Sequence, residues 1–155
     1  MFQVLPLQAD AFRPLYGLAD DVLATRGVVA DIADKKPGFP CRVSLRHAEP
    51  GERVLLLNHV HQPADTPFHA SHAIYVLEGA ETAQLAVGEL PEVFQLPTVL
   101  SVRAFDTSGM LRTAELVDSA QAGDTFEQLL QRDDVACLQV HFAKYGCFAA
   151  EVVRA

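Results

Sequence analysis

Three cysteines and six histidines are the side chains of this 155-residue chain best suited to bond making or metal binding. Two of the cysteines and one histidine stand together in CLQVHFAKYGCFAAEV, Cys137 to Val152. A thiol with a pKa of ~8.5 is only slightly ionised at neutral pH, so a nucleophilic cysteine needs a base such as imidazole beside it. Side chains alternate across a strand, and a hairpin must bring like faces together. Pairing Phe142 with Cys147 would set every apolar face against a polar one. Shifting by one residue pairs Val140 with Phe148, Leu138 with Ala150 and Gln139 with Ala149, and it places His141 directly across from Cys147. Opposed Cβ atoms stand roughly 4.5–5.5 Å apart, within reach of a Cys–His hydrogen bond. The reading is a thiol site with Cys147 as nucleophile, His141 as its base, and Lys144 or Arg103 as a nearby positive charge. A buried cysteine acting as a small hydrophobe explains the same letters.

Two further constellations carry chemistry. His59, His61, His69 and His72 crowd one stretch, with His141 far downstream, and a zinc-type site with an open position needs about three such ligands. No spacing among them is diagnostic, so no metal and no cofactor is assigned. Arg42 and Arg103 sit at polar positions of alternating segments, where a guanidinium needs an acid partner, water or a bidentate anion. Surface salt bridges are the plain alternative.

These residues must be held by strands. FQVLPL reads as a short strand, and ADAFRPLYGLADDVLATRG as helical turns closed by Gly27. GVVADIA is strand-like, and the two prolines and the glycine of DKKPGFP enforce a turn. CRVSL alternates as a strand that should form a hairpin with RVLLLNHV, which is apolar on both faces like a central strand. HAIYVLE, TVLSVRAFD and MLRTAELV are further strands, DTSG is a turn, and LPEVFQL is a short helix. GDTFEQLLQR begins with Asp124 as N-cap and Glu127 three residues on, a capping box, with Phe126, Leu129 and Leu130 on one face. Few short helices among returning strands predict an α+β fold, a largely antiparallel sheet, and one domain over residues 1–155.

Twenty acidic against twelve basic side chains give a net charge of −8, which repels phosphate backbones and anionic lipid surfaces. Nucleic acid and membrane are therefore not expected as partners. No apolar run approaches the roughly 20 residues that span a bilayer. The N-terminus lacks the pattern of an export signal, and three cysteines cannot all pair internally, so a cytoplasmic location with free thiols is the expectation.

GFPCRVSL, EPGERVLLLNHVHQPADTPFHASHAIYV, SVRAFDTSGM and VHFAKYGCFAAEVVRA together resemble the bacterial family known as domain of unknown function 1203. The resemblance implies a standalone bacterial domain and brings no catalytic residues with it. Cys41, Arg42, His72, Arg103, His141 and Cys147 lie in the resembling stretches and are grouped as one cleft. Cys41, Arg42, His72 and Arg103 would bind a small polar or anionic ligand. A thiol-dependent enzyme using Cys147 and His141 is the alternative, and an interaction module without a pocket is another. The oligomeric state stays open.

Overall fold

A computed structural model describes residues 1–155. In chain order the strands are β1 (Phe2–Leu5), β2 (Val29–Ile32), β3 (Arg53–Gln62), β4 (Ala70–Leu77), β5 (Val99–Phe105), β6 (Leu111–Asp118), β7 (Cys137–Phe142) and β8 (Cys147–Arg154), and the helices are α1 (Asp20–Ala24), α2 (Glu92–Gln95) and α3 (Ala122–Leu130). The class is α+β. Two sheets form, ordered β1-β8-β7-β5-β6 and β2-β3-β4. The chain divides into two compact units: residues 1–5, 60–72 and 85–155 form the first, and residues 6–59 and 73–84 the second. No helix is long and apolar enough to cross a membrane.

The first unit is built on the five-stranded antiparallel sheet. Alternation gives one face to Val4, Val102, Leu138, Val140 and Val152, each fully buried. Helix α3 packs there because Phe126, Leu129 and Leu130 recur at helical spacing. Phe2 of β1 meets Phe126 edge to face, with ring centroids 5.4 Å apart, a favoured aromatic geometry.

The helix starts earlier than the expected capping box. Asp124 is not the N-cap: α3 begins at Ala122, capped by Gln121 without a side-chain hydrogen bond. A 3₁₀ turn, Ser119–Gln121, leads into it. Ser119 donates its N–H to the Thr98 carbonyl (2.9 Å) and its hydroxyl to the Leu96 carbonyl (2.9 Å). That anchor fixes where the helix is launched, and Asp124 is left in its first turn, near the positive end of the helix dipole.

The β7–β8 register also differs from the parity expectation. Phe142 pairs with Cys147 and His141 with Phe148, the register shifts between Val140 and His141, and then Val140 pairs with Ala150, Gln139 with Glu151 and Leu138 with Val152. Ala149 is the extra residue of a β-bulge, which puts two residues of one strand opposite one of its partner. The bulge reconciles what looked incompatible, a tight turn at Phe142–Cys147 and an apolar ladder further along. In the turn, Gly146 has φ of 70° and donates its N–H to the Phe142 carbonyl (2.8 Å). Because Phe148 and not Cys147 faces His141, Cys147 lies on the opposite face from the imidazole. The proposed Cys147–His141 neighbourhood does not form.

A second glycine pins residues 60–72 to the β5–β6 turn. Gly109 has φ of 82°, and a Cβ built on it would stand 2.4 Å from the Ala64 Cβ, while Thr66 donates its hydroxyl to the Gly109 carbonyl (3.3 Å). Left-handed backbone costs a residue with a Cβ about 1–2 kcal/mol, and the contact adds to it. Gly109→Ala should lower stability by about 2 kcal/mol or more, read as a lower urea midpoint at unchanged slope. A midpoint equal to wild type would show that the residue 62–66 loop yields without loss.

In the second unit β3 is central, as its two-sided hydrophobicity predicts, and β2 pairs with it antiparallel from Val29↔Leu56 to Ile32↔Arg53. Val54, Leu55, Ile74 and Val76 are buried. CRVSL is not a strand and makes no hairpin with β3. Residues 42–44 are turn; only isolated bridges form, Pro40 with His47 and Cys41 with Tyr75. The Cys41 N–H donates to the Arg46 carbonyl (2.9 Å) and Leu45 takes φ of 51°, which curls the segment back on itself. Cys41, Val43 and Leu45 are nevertheless buried: the alternation reported burial without pairing.

A candidate metal centre

The second face of the five-stranded sheet is not a solvent face. On it lie Gln139 and His141 of β7, each 2% exposed, with Arg103 of β5 opposite Gln139, Ser101 opposite His141, and Phe148 of β8 across from His141. His61, near the end of β3, and His72, near the start of β4, join them within the first unit. One nitrogen from each of His61, His72 and His141 lies within 4.8 Å of the other two.

Hydrogen bonds fix the proton on two of these rings. Gln139 Nε2 donates to the His61 carbonyl oxygen (2.9 Å), which can only accept, so the amide orientation is set and Oε1 faces His61 Nδ1 at 2.8 Å. An amide oxygen accepts, so Nδ1 carries the hydrogen and Nε2 keeps its lone pair. The same logic applies to His141: its Nδ1 meets the Gly146 carbonyl at 3.2 Å, so Nδ1 donates and Nε2 is the acceptor. His141 Nε2 is buried and has no hydrogen-bond partner. An unsatisfied buried polar atom costs about 1–3 kcal/mol, and a bound ion is one group that would satisfy it.

His72 Nδ1 stands 2.7 Å from His61 Nε2. Since His61 Nε2 accepts, His72 Nδ1 donates to it in the metal-free protein. The two rings are parallel within 3°, with centroids 4.7 Å apart, and the short nitrogen contact means that they meet edge to edge. Phe148 also lies parallel to His61 (5.1 Å, 5°), and His141 stands nearly perpendicular to both histidines (5.0 Å, 80° and 5.4 Å, 79°). Burial, foremost, pushes the His141 pKa down to about 3; the Gly146 carbonyl works against this, and His61, Arg103 and His72 add to it. At neutral pH the His141 ring is therefore uncharged with its lone pair available.

Two lone pairs, and a third released if one proton leaves the His61–His72 contact, form a three-imidazole donor set suited to zinc and its first-row neighbours. Gln139 and the Gly146 carbonyl are the outer partners that orient metal-binding histidines. Three protein ligands leave a coordination position open, the arrangement in which zinc acidifies a bound water or polarises a ligand oxygen.

The expected site residues divide between the units. His72, His141, Arg103 and Cys147 belong to the first, whereas Cys41 and Arg42 belong to the second. Cys41 is buried, its sulfur accepting from the Leu77 N–H (3.2 Å) and the Ser44 N–H (3.4 Å). Arg42 is 2% exposed and donates to the Pro40 carbonyl. Both are built into the core of their own unit. His59 also lies in the second unit, its ring 6.5 Å from that of Phe12, and His69 is exposed. No disulfide joins the three cysteines. Burial, with Glu151 adding to it, pushes the Cys137 thiol up to about 11, which makes it inert at neutral pH. Gln139 and Phe148 are the members that the sequence reading missed.

A family model described as protein of unknown function (DUF1203) matches residues 38–154. The chain belongs to this family. All three histidines, Gln139, Phe148 and Arg103 fall inside the DUF1203 match, so the candidate centre is part of the region that defines the family. No curated protein and no solved structure matches the chain.

Proposed function

We propose that this DUF1203 chain is a metal-dependent domain: His61 Nε2, His72 Nδ1 and His141 Nε2 hold a zinc-class divalent ion, and a small polar ligand binds at the position they leave open. The observation that carries this reading is the buried, partnerless Nε2 of His141, aimed into a cluster whose other nitrogens lie within 4.8 Å. A metal ion would satisfy that atom, and the Gln139 and Gly146 contacts already hold two rings in the tautomer that a metal needs. The net charge of −8 favours a small ligand over nucleic acid.

The test is metal content. Protein purified without a histidine tag, incubated with cobalt(II) or zinc and passed over a weak chelating resin, should retain about one ion per chain, with the visible absorption of low-coordinate cobalt. His141→Ala should retain none. Gln139→Leu should bind roughly 10–100-fold more weakly, the usual effect of losing an outer partner. Wild-type protein that leaves the resin without metal would refute the centre.

A further inference from the structure

Charge at the centre points to its ligand. Three neutral imidazoles bring no negative charge to a divalent ion, and the cluster contains no carboxylate or thiolate. A buried ion with no anionic ligand is costly, because the low-polarity surroundings do not compensate it. Arg103 adds further positive charge on the same face. It stands directly opposite Gln139, whose amide holds His61, and one position along from Ser101, which faces His141. Its guanidinium centre rests 5.6 Å from the Phe105 ring centroid, and it forms no salt bridge. The acid on this face of β8 is Glu151, across from Gln139 on the other side of β7, so a whole strand separates it from Arg103. Two adjacent strand spacings put them roughly 10 Å apart, and burial raises the Glu151 pKa, opposite to what pairing with a guanidinium would do. Of the three histidines, His72 alone is partly exposed, and it marks the side from which a ligand can enter.

We propose that the open position of this centre takes an oxyanion of a small molecule, a carboxylate or a phosphate, with one oxygen on the metal and another on the Arg103 guanidinium. The inference rests on the metal reading and adds the ligand class to it. The guanidinium donates a charge-assisted hydrogen bond to the oxygen of either group that the metal leaves free, and the anion supplies the negative charge that the donor set lacks. Arg103 acts here as a binding residue.

The experiment titrates cobalt-loaded protein with acetate and, separately, with inorganic phosphate, following the visible spectrum, with perchlorate at equal ionic strength as control. Saturable spectral change with at least one anion and none with perchlorate is expected, and the stronger arm identifies the class. Arg103→Gln should keep one cobalt per chain and bind that anion about tenfold or more weakly, as loss of a charge-assisted pair predicts. Failure of wild-type protein to take up cobalt would overturn both readings. Normal cobalt uptake with a spectrum indifferent to both anions, or equal anion affinity in Arg103→Gln, would overturn the oxyanion proposal and leave the metal centre standing.

Discussion

Zinc at a hundred times its dissociation constant should raise the unfolding free energy by about 2.7 kcal/mol, since an ion that binds only the folded chain stabilises it by mass action. For a protein of this length that corresponds to a rise of about 5–10 °C in melting temperature. The shift should grow with the logarithm of free zinc and disappear in His61→Ala, which lacks one donor nitrogen together with the ring contact to Gln139 Oε1. Differential scanning fluorimetry against buffered zinc measures it, with magnesium as control, because three imidazoles suit zinc and not a hard oxygen-seeking ion. Equal shifts with zinc and magnesium, or a shift that persists in His61→Ala, would place the effect elsewhere on the surface.

The second large effect is acid sensitivity of the metal-free chain. His141 titrates at about 3 in the fold, mainly through burial, against about 6.5 when unfolded. The folded pKa is the lower one, so below pH 6.5 the unfolded chain takes up the proton while the folded chain does not. Stability is therefore complete above pH 6.5 and falls as pH drops toward 3, at up to about 1.4 kcal/mol per pH unit. Over the window this amounts to something on the order of 4 kcal/mol, a large share of the 5–15 kcal/mol that holds a typical domain folded. His141→Leu removes the titrating ring together with its partnerless nitrogen, so the variant should lose this part of the pH slope and outlast wild type at pH 4–5. Urea midpoints at pH 7, 5 and 4 for both proteins give the difference directly. Parallel slopes would show that His141 does not resist protonation.

These effects show which parts of the molecule were readable from its residues. Strands β3 to β6 were legible because their apolar residues alternate or run continuously between turn signals, and α3 because Phe126, Leu129 and Leu130 recur at helical spacing. CRVSL misled for a physical reason: burial of every second side chain requires only that a segment lie over a core, not that its backbone bond to a neighbour. Asp124 misled because local capping chemistry was outweighed by the Ser119 anchor to residues 96 and 98. The family resemblance, spread over four separated stretches, proved correct. His61, His72 and His141 all entered the metal reading, but no ligand pair has a recognisable spacing, because the site is assembled from two ribbons nearly seventy residues apart in the chain. Gln139 carries no signal of its own, since an amide that positions an imidazole reads like any surface amide until the strand is known to be covered.

The extra residue in β8 does more than bend the ribbon. Strict alternation would seat Phe148 beside Ala150 and Val152 under the helix; with Ala149 interposed, the aromatic ring changes allegiance and becomes the wall against which His61 rests. One alanine thereby decides whether this aromatic ring joins the apolar face or walls the three imidazoles.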